Sequence, residues 1–189
     1  MAPRTAKGAQ RICLLKVAVS DWSGNIRGQP YRVLAIAHDQ SLFQLARAIV
    51  DSFEFDFDHC FGFFDNAKSW IASRECYELF ADIGEESRCR SVKRTKIGQI
   101  FPEKGKKMLF LFDYGDEWQF VVEHQGFQSA QPGTKYPQVI ESVGVARTVR
   151  GARRVTEWLL PELSNCDFVD QSCRPQTVAF RFALNSLGW

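Results

Sequence analysis

The chain has 189 residues, 45% of them hydrophobic and 24% charged, with a formal net charge of +2 and 16 Phe. That length suits one large domain, or one domain with an appendage, able to bury a core without disulfide or metal staples. The phenylalanine content points to a thick core of more than one packed layer, and the lack of any apolar run of about 18 residues excludes a membrane-spanning helix.

Met1–Gln10 is short, polar and basic, lacks the apolar centre of a secretion signal, and reads as a disordered tail. Ile12–Val19 is a buried strand, and turn-rich Asp21–Pro30 leads to a second strand at Tyr31–Ala37. Leu42, Leu45, Ala46, Ile49 and Phe53 repeat at helical spacing over Ser41–Phe53, with Asp39 or Ser41 available as the cap. Phe55–Phe64 returns as a strand. Cys76, Leu79, Phe80 and Ile83 suit a short amphipathic helix ending at Gly84, and the basic stretch after it reads as a surface loop. Ala130–Pro137 is a loop and Val139–Val145 a short strand. Val155, Trp158 and Leu159 mark a helix stopped by Pro161, and Val178–Leu184 alternates by two as a final strand.

Between these lies Met108–Glu123, two strand-like runs around the acidic, glycine-containing Asp113–Glu117, which predicts a β-hairpin with Met108–Phe112 antiparallel to Trp118–Val122. Asp113 is expected to cap the turn through its carboxylate, Gly115 to supply a positive φ, and Asp116 to accept backbone amides of the same turn. The ligand-binding candidates gather here: His59, Asp113, Tyr114, Asp116 and Trp118. Tyr114 and Trp118 offer flat faces for stacking, although a tryptophan at a strand start beside a Phe-rich core also suits an inward position. Glu123 and His124 fall on opposite faces of their strand and cannot share a site. Gly98 to Lys107 misses the phosphate-loop pattern, with wrong glycine spacing and a strand following. No catalytic signature is complete, so a binding domain is expected, without metal or cofactor.

Charge and cysteine bound the rest. Arg88, Arg90, Lys93, Arg94, Lys96, Lys104, Lys106 and Lys107 face only Glu103 between 88 and 107, and Arg147, Arg150, Arg153 and Arg154 form a second basic segment. Asp51, Glu54, Asp56, Asp58 and Asp65 form an acidic one. Such segregation steers anionic partners to one side. Cys13, Cys60, Cys76, Cys89, Cys166 and Cys173 form no Cys-x-x-Cys pair and are expected to be reduced, buried and cytoplasmic.

Three blocks carry a family resemblance: Leu-Phe-Asp-Tyr-Gly-Asp-Glu-Trp-Gln-Phe at 111–120, His59-Cys60-Phe61-Gly62-Phe63-Phe64 with Asp65-Asn66 and Trp70, and Tyr136-Pro137-Gln138-Val139-Ile140-Glu141-Ser142-Val143-Gly144. With these the chain resembles the plasmid pRiA4b ORF-3-like family, some members of which are labelled transposon passenger or resolvase-like proteins. The resemblance implies a compact α+β domain with an antiparallel sheet and a β-β-α-β opening. Val145-Ala146-Arg147 stands where the family tends to continue Glu-Ala-Pro with further acids, and Phe120 where some members carry His. Both departures count against a metal or acid-base site by analogy.

The resulting expectation is an α+β fold with a β-β-α-β opening, an antiparallel sheet, a central β-hairpin, and a C-terminal helix plus strand. Residues 11–148 form the family domain, with 149–189 packed on it. The function expected is binding, associated with mobile elements, toward nucleic acid or a nucleic-acid-handling protein through 88–107 and 147–154. Contacts would come from Arg88, Arg90, Lys93, Arg94, Lys96, Lys106, Lys107, Arg150, Arg153 and Arg154. The alternatives are an enzyme with its site at Asp113–Trp118 and a protein-interaction module with acidic and basic faces.

Overall fold

The computed structural model describes residues 10–20 and 26–144. The basic residues Arg147, Arg150, Arg153 and Arg154, the expected C-terminal helix and strand, and the expected tail before Gln10 lie outside the described residues.

Eight strands form one sheet: β1 (Arg11–Ser20), β2 (Ile26–Ala37), β3 (Phe61–Phe64), β4 (Cys76–Glu78), β5 (Arg90–Ser91), β6 (Lys107–Phe112), β7 (Trp118–Ser129) and β8 (Gln138–Val143). Among the described residues two α-helices join them, α1 (Leu42–Ser52) and the one-turn α2 (Ile97–Ile100). The spatial order is β5-β4-β3-β6-β7-β1-β2-β8. Every neighbouring pair is antiparallel except β4 and β5, which run parallel, so the sheet is mixed and not antiparallel throughout. Parallel neighbours need a crossover, and residues 79–89 supply one. The opening elements run β1, β2, α1, β3.

Period-two alternation sorts the core onto two faces. Cys13, Leu15 and Val17 of β1, Phe61 and Phe63 of β3, Met108, Phe110 and Phe112 of β6, and Phe120 and Val122 of β7 face α1, where Leu42, Leu45, Ala46, Ile49 and Val50 are buried. Leu109, Leu111, Phe64 and Cys76 form a cluster on the opposite face, and Ile12, Ala35 and Ala37 form another. Ser41 caps α1: its hydroxyl accepts from the Gln44 amide, and Gln44 Oε1 accepts from the Ser41 amide. Among the described residues no helix is long and apolar enough to cross a membrane.

Three expected elements differ. The strand at Phe55–Phe64 shrinks to Phe61–Phe64. Glu54 turns the chain at φ 63° beyond α1, and Phe55 and Phe57 reach into the helix-side core from a loop. The expected helix from Cys76 is strand β4 followed by a 3-10 turn (Phe80–Asp82), because Tyr77 and Glu78 pair with Phe63 and Gly62. The basic stretch is no solvated loop. It carries β5 and α2 and buries Val92, Ile97, Ile100 and Phe101 between its charges.

Cysteine chemistry is also corrected. Cys76 and Cys89 are joined by a disulfide with their Cα atoms 4.9 Å apart, within the separation a bridge requires. Their distance in sequence hid a pairing that the β4–β5 crossover creates. Cys13 is a free buried thiol, which burial pushes up to about 11.

Candidate functional site

The hairpin forms as expected, with Met108 opposite Val122 and Phe112 opposite Trp118. Asp113 takes φ 59° and Glu117 φ 52°, whereas the expected positive φ at Gly115 does not occur. Asp tolerates that left-handed conformation because its short carboxylate bonds locally. Asp113 Oδ1 accepts from the Gly115 amide at 2.8 Å and the Asp116 amide at 3.4 Å, and the Glu117 amide donates to the Asp113 carbonyl at 2.7 Å. The capping carboxylate is therefore that of Asp113, while Asp116 is exposed at the tip.

His59 approaches the turn from the loop just before β3. Its Nε2 lies 3.6 Å from Asp113 Oδ2, and its Nδ1 lies 2.6 Å from Asp58 Oδ1. Asp113 Oδ1 is thus taken by the turn amides, and Oδ2 faces the His59 ring just before β3. Among the described residues no group of three or more His, Cys, Asp or Glu side chains could hold a metal ion.

Tyr114 and Trp118 do not form one platform. Trp118 packs on Phe55, ring centres 4.9 Å apart, on the helix side. Tyr114 lies on the opposite face against Trp70 and Phe80, at 5.5 and 5.2 Å, and its hydroxyl donates to Glu78 Oε1 at 2.9 Å. Glu78 is 9% exposed and also accepts from Ser87 Oγ at 2.9 Å. Burial first, then the charge and hydrogen bond of Glu78, hold the Tyr114 hydroxyl well above its ordinary pKa. A Cβ on Gly62 would stand 2.9 Å from that hydroxyl and 2.8 Å from the Phe64 ring, so this position needs glycine for close approach. His124 is fully buried, its Nδ1 2.7 Å from the Glu103 carbonyl and its Nε2 2.8 Å from that of Gly126, and Glu123 meets Lys107 at 3.4 Å. The two are kept apart, as strand alternation requires.

An open cleft lies elsewhere, at the β4–β5 edge. A cleft of about 620 Å³ is walled by Tyr77, Ser87, Cys89, Arg90, Arg94 and Gln99, with Glu75 and Glu85 beside them and Ile100 beneath. Tyr77 donates to Glu75 Oε1 at 2.6 Å, and Lys106 Nζ stands 3.6 Å from Glu75 Oε2. Burial, reinforced by Glu75 and opposed by Arg90, pushes the Tyr77 hydroxyl up to about 12. Glu75 is therefore largely spent within the wall. Arg88, Arg90, Lys93, Arg94 and Lys96 are exposed, and none forms an ion pair among the described residues. Arg88 instead donates to the Ile71 carbonyl at 2.8 Å. Backbone bonds from Leu42 to Thr95 and from Phe43 to Val92 hold the stretch against α1. Lys106 and Lys107 are paired with carboxylates and drop out of the free basic set.

The sequence profile of the family described as plasmid pRiA4b ORF-3-like protein matches residues 11–148, which is most of the chain. The chain belongs to that family. The crystal structure of a protein of unknown function, MM3350 from Methanosarcina mazei Go1, superposes with a TM-score of 0.57 at 21% identity, covering 72% of each chain. That likeness shows a shared fold. No curated protein matches. All three blocks that carry the family resemblance lie within the described residues, on β3, on β8 and on the β6–β7 hairpin or in the loops beside them. Asp113 caps the turn, Tyr114 latches it to Glu78, and Gly62 leaves the room that latch needs. The cleft was missed from sequence because Glu75, Tyr77 and Ser87 sit outside the basic run. Its one legible signal was the apolar Val92, Ile97 and Ile100 among the lysines and arginines, a pattern solvated loops lack.

Proposed function

We propose that this domain binds nucleic acid through phosphates at the basic β4–β5 edge. The observation that carries the reading is that Arg90 and Arg94 line an open cleft while Arg88, Lys93 and Lys96 stand exposed nearby, all free of ion pairs among the described residues. Guanidinium groups suit phosphate oxygens by geometry and charge. The rings that could have stacked on bases are packed within the fold, so the contacts are to backbone and carry no base specificity. The plasmid name of the family accords with a role beside mobile elements, in the cytoplasm, where such substrates occur.

The test is a salt titration of labelled single- and double-stranded DNA and RNA. Affinity should fall steeply with added salt as counterions are released. Replacing Arg88, Arg90, Lys93 and Arg94 with Ala should weaken binding to unrelated sequences by similar factors, with little change in unfolding midpoint. Absence of binding at about 50 mM salt, where phosphate contacts are strong, would overturn the reading.

A further inference from the structure

Tyr77 pairs with Arg90 and Glu78 with Ser91 across the parallel β4–β5 ladder. Cys76 and Cys89 stand one position before each of those partners, so their disulfide occupies the next rung of the same register. The ladder it continues is short and lies at the sheet edge. Beyond Ser91 the chain has independent anchors: Val92 is fully buried and its carbonyl accepts from the Phe43 amide at 3.1 Å, while the Thr95 carbonyl accepts from Leu42 at 3.0 Å. Before Cys89 the chain is largely exposed, held by Ser87 on Glu78 and Arg88 on the Ile71 carbonyl. Arg90 sits between the disulfide and Ser91, whose hydroxyl donates to Asp82 Oδ1 and whose carbonyl accepts from Thr95, so the disulfide is the anchor on its N-terminal side, whereas Arg94 lies beyond both.

The two sulfurs are unequally reachable. Cys89 is half-buried and lines the cleft, whereas Cys76 is 7% exposed among Phe64, Leu109 and Leu111. Cys89 is the more open of the two to an incoming thiolate.

We propose that the Cys76–Cys89 bond is a redox-operated clamp on the basic cleft, fixing β5 and Arg90 against β4 when oxidised and releasing them when a dithiol reduces it. The inference rests on the phosphate-binding reading of that cleft. One thiolate of the dithiol attacks Cys89 Sγ, the S–S bond breaks, and Cys76 leaves as a thiolate that takes up a proton. The second thiol of the reductant then resolves the mixed disulfide. Two protein thiols form and the dithiol becomes a disulfide, so two electrons and two protons pass to the protein. In a reducing compartment such a bond is transient, in keeping with a regulatory use.

The experiment compares the full chain, oxidised and treated with dithiothreitol, in two readouts. Hydrogen exchange over residues 76–91 reports the clamp without any ligand. Binding of a fluorescein-labelled single-stranded oligodeoxynucleotide reports the cleft. Reduction should speed exchange at 76–91 while leaving α1 and β6 protected. It should weaken binding several-fold and lower the salt slope by about one, as for the loss of one phosphate contact. Cys60 is disulfide-bonded as well, so the control is local: the C76A/C89A variant should exchange at 76–91 as the reduced protein does and show no further change there with dithiothreitol, which assigns the effect to this bond. Unchanged exchange on reduction would overturn the clamp whatever the binding shows. Faster exchange with unchanged binding would overturn its control of the cleft. Faster exchange with no binding in either state would instead overturn the phosphate-binding reading and, with it, this regulation.

Discussion

At the scale of single residues, Tyr114 shows how a motif that looks like a site can serve as a latch. Its hydroxyl crosses Gly62 to reach Oε1 of Glu78, a nearly buried carboxylate whose Oε2 accepts from Ser87. Tyr114→Phe keeps the ring contacts and removes only that donor, so it should destabilise the fold by about 1–3 kcal/mol, the cost of a buried acceptor left unmet. A shift in the urea midpoint at constant slope checks this. The same bond gives stability an alkaline limit. Tyr114 in the unfolded chain ionises at its ordinary value of 10.0, whereas in the fold its hydroxyl is held well above it. The folded state keeps a proton that the unfolded state releases, so the contribution is complete below pH 10 and is lost as pH rises beyond it. Tyr77, raised to about 12, adds a loss of the same sign. From pH 10 to 12 the wild type should therefore lose stability faster than Tyr114→Phe, by up to about 1.4 kcal/mol per pH unit for one proton. Equal slopes for the two proteins would show that Tyr114 is not the group responsible.

At the scale of elements, α1 links the core to the candidate interface. Its first residues receive the basic segment through Leu42 on Thr95 and Phe43 on Val92, and Ser41 bridges Lys96. Ser41→Ala should cost about 1 kcal/mol, the usual value of an N-cap side chain. Because the cap sits at this junction, exchange should quicken at Val92–Lys96 together with the first turn of α1, and unaltered protection at Val92–Lys96 would show the junction to be independent of the cap. The legibility of elements follows from where their information resides. The hairpin and α1 were readable because periodicity and turn chemistry are local. The helix expected from Cys76 failed because its residues are committed by pairing with Gly62 and Phe63, partners remote in sequence. The basic segment was misread because four buried apolar residues are diluted by exposed charge in any average over the stretch. The disulfide was hidden for the same reason as β5: both depend on a parallel crossover that no local pattern encodes.

At the scale of the whole molecule, the phenylalanines foreseen as a thick core form a connected layer beneath α1. Phe110 sits at its centre, fully buried, with ring centres at 4.8 Å from Phe63, 5.8 Å from Phe61, 5.8 Å from Phe120 and 6.4 Å from Phe112. These partners come from β3, β6 and β7, so one ring joins three strands of the sheet. Its removal acts on all of them at once. Phe110→Ala should cost about 3–5 kcal/mol through lost burial and the cavity left behind, a large share of the roughly 5–15 kcal/mol by which domains are stable. Phe110→Leu, which refills much of that space, should cost distinctly less. The order wild type, Leu, Ala in denaturant midpoint is the expected outcome. Near-wild-type stability of Phe110→Ala would mean that the layer closes around the gap, and that its cohesion does not pass through this ring.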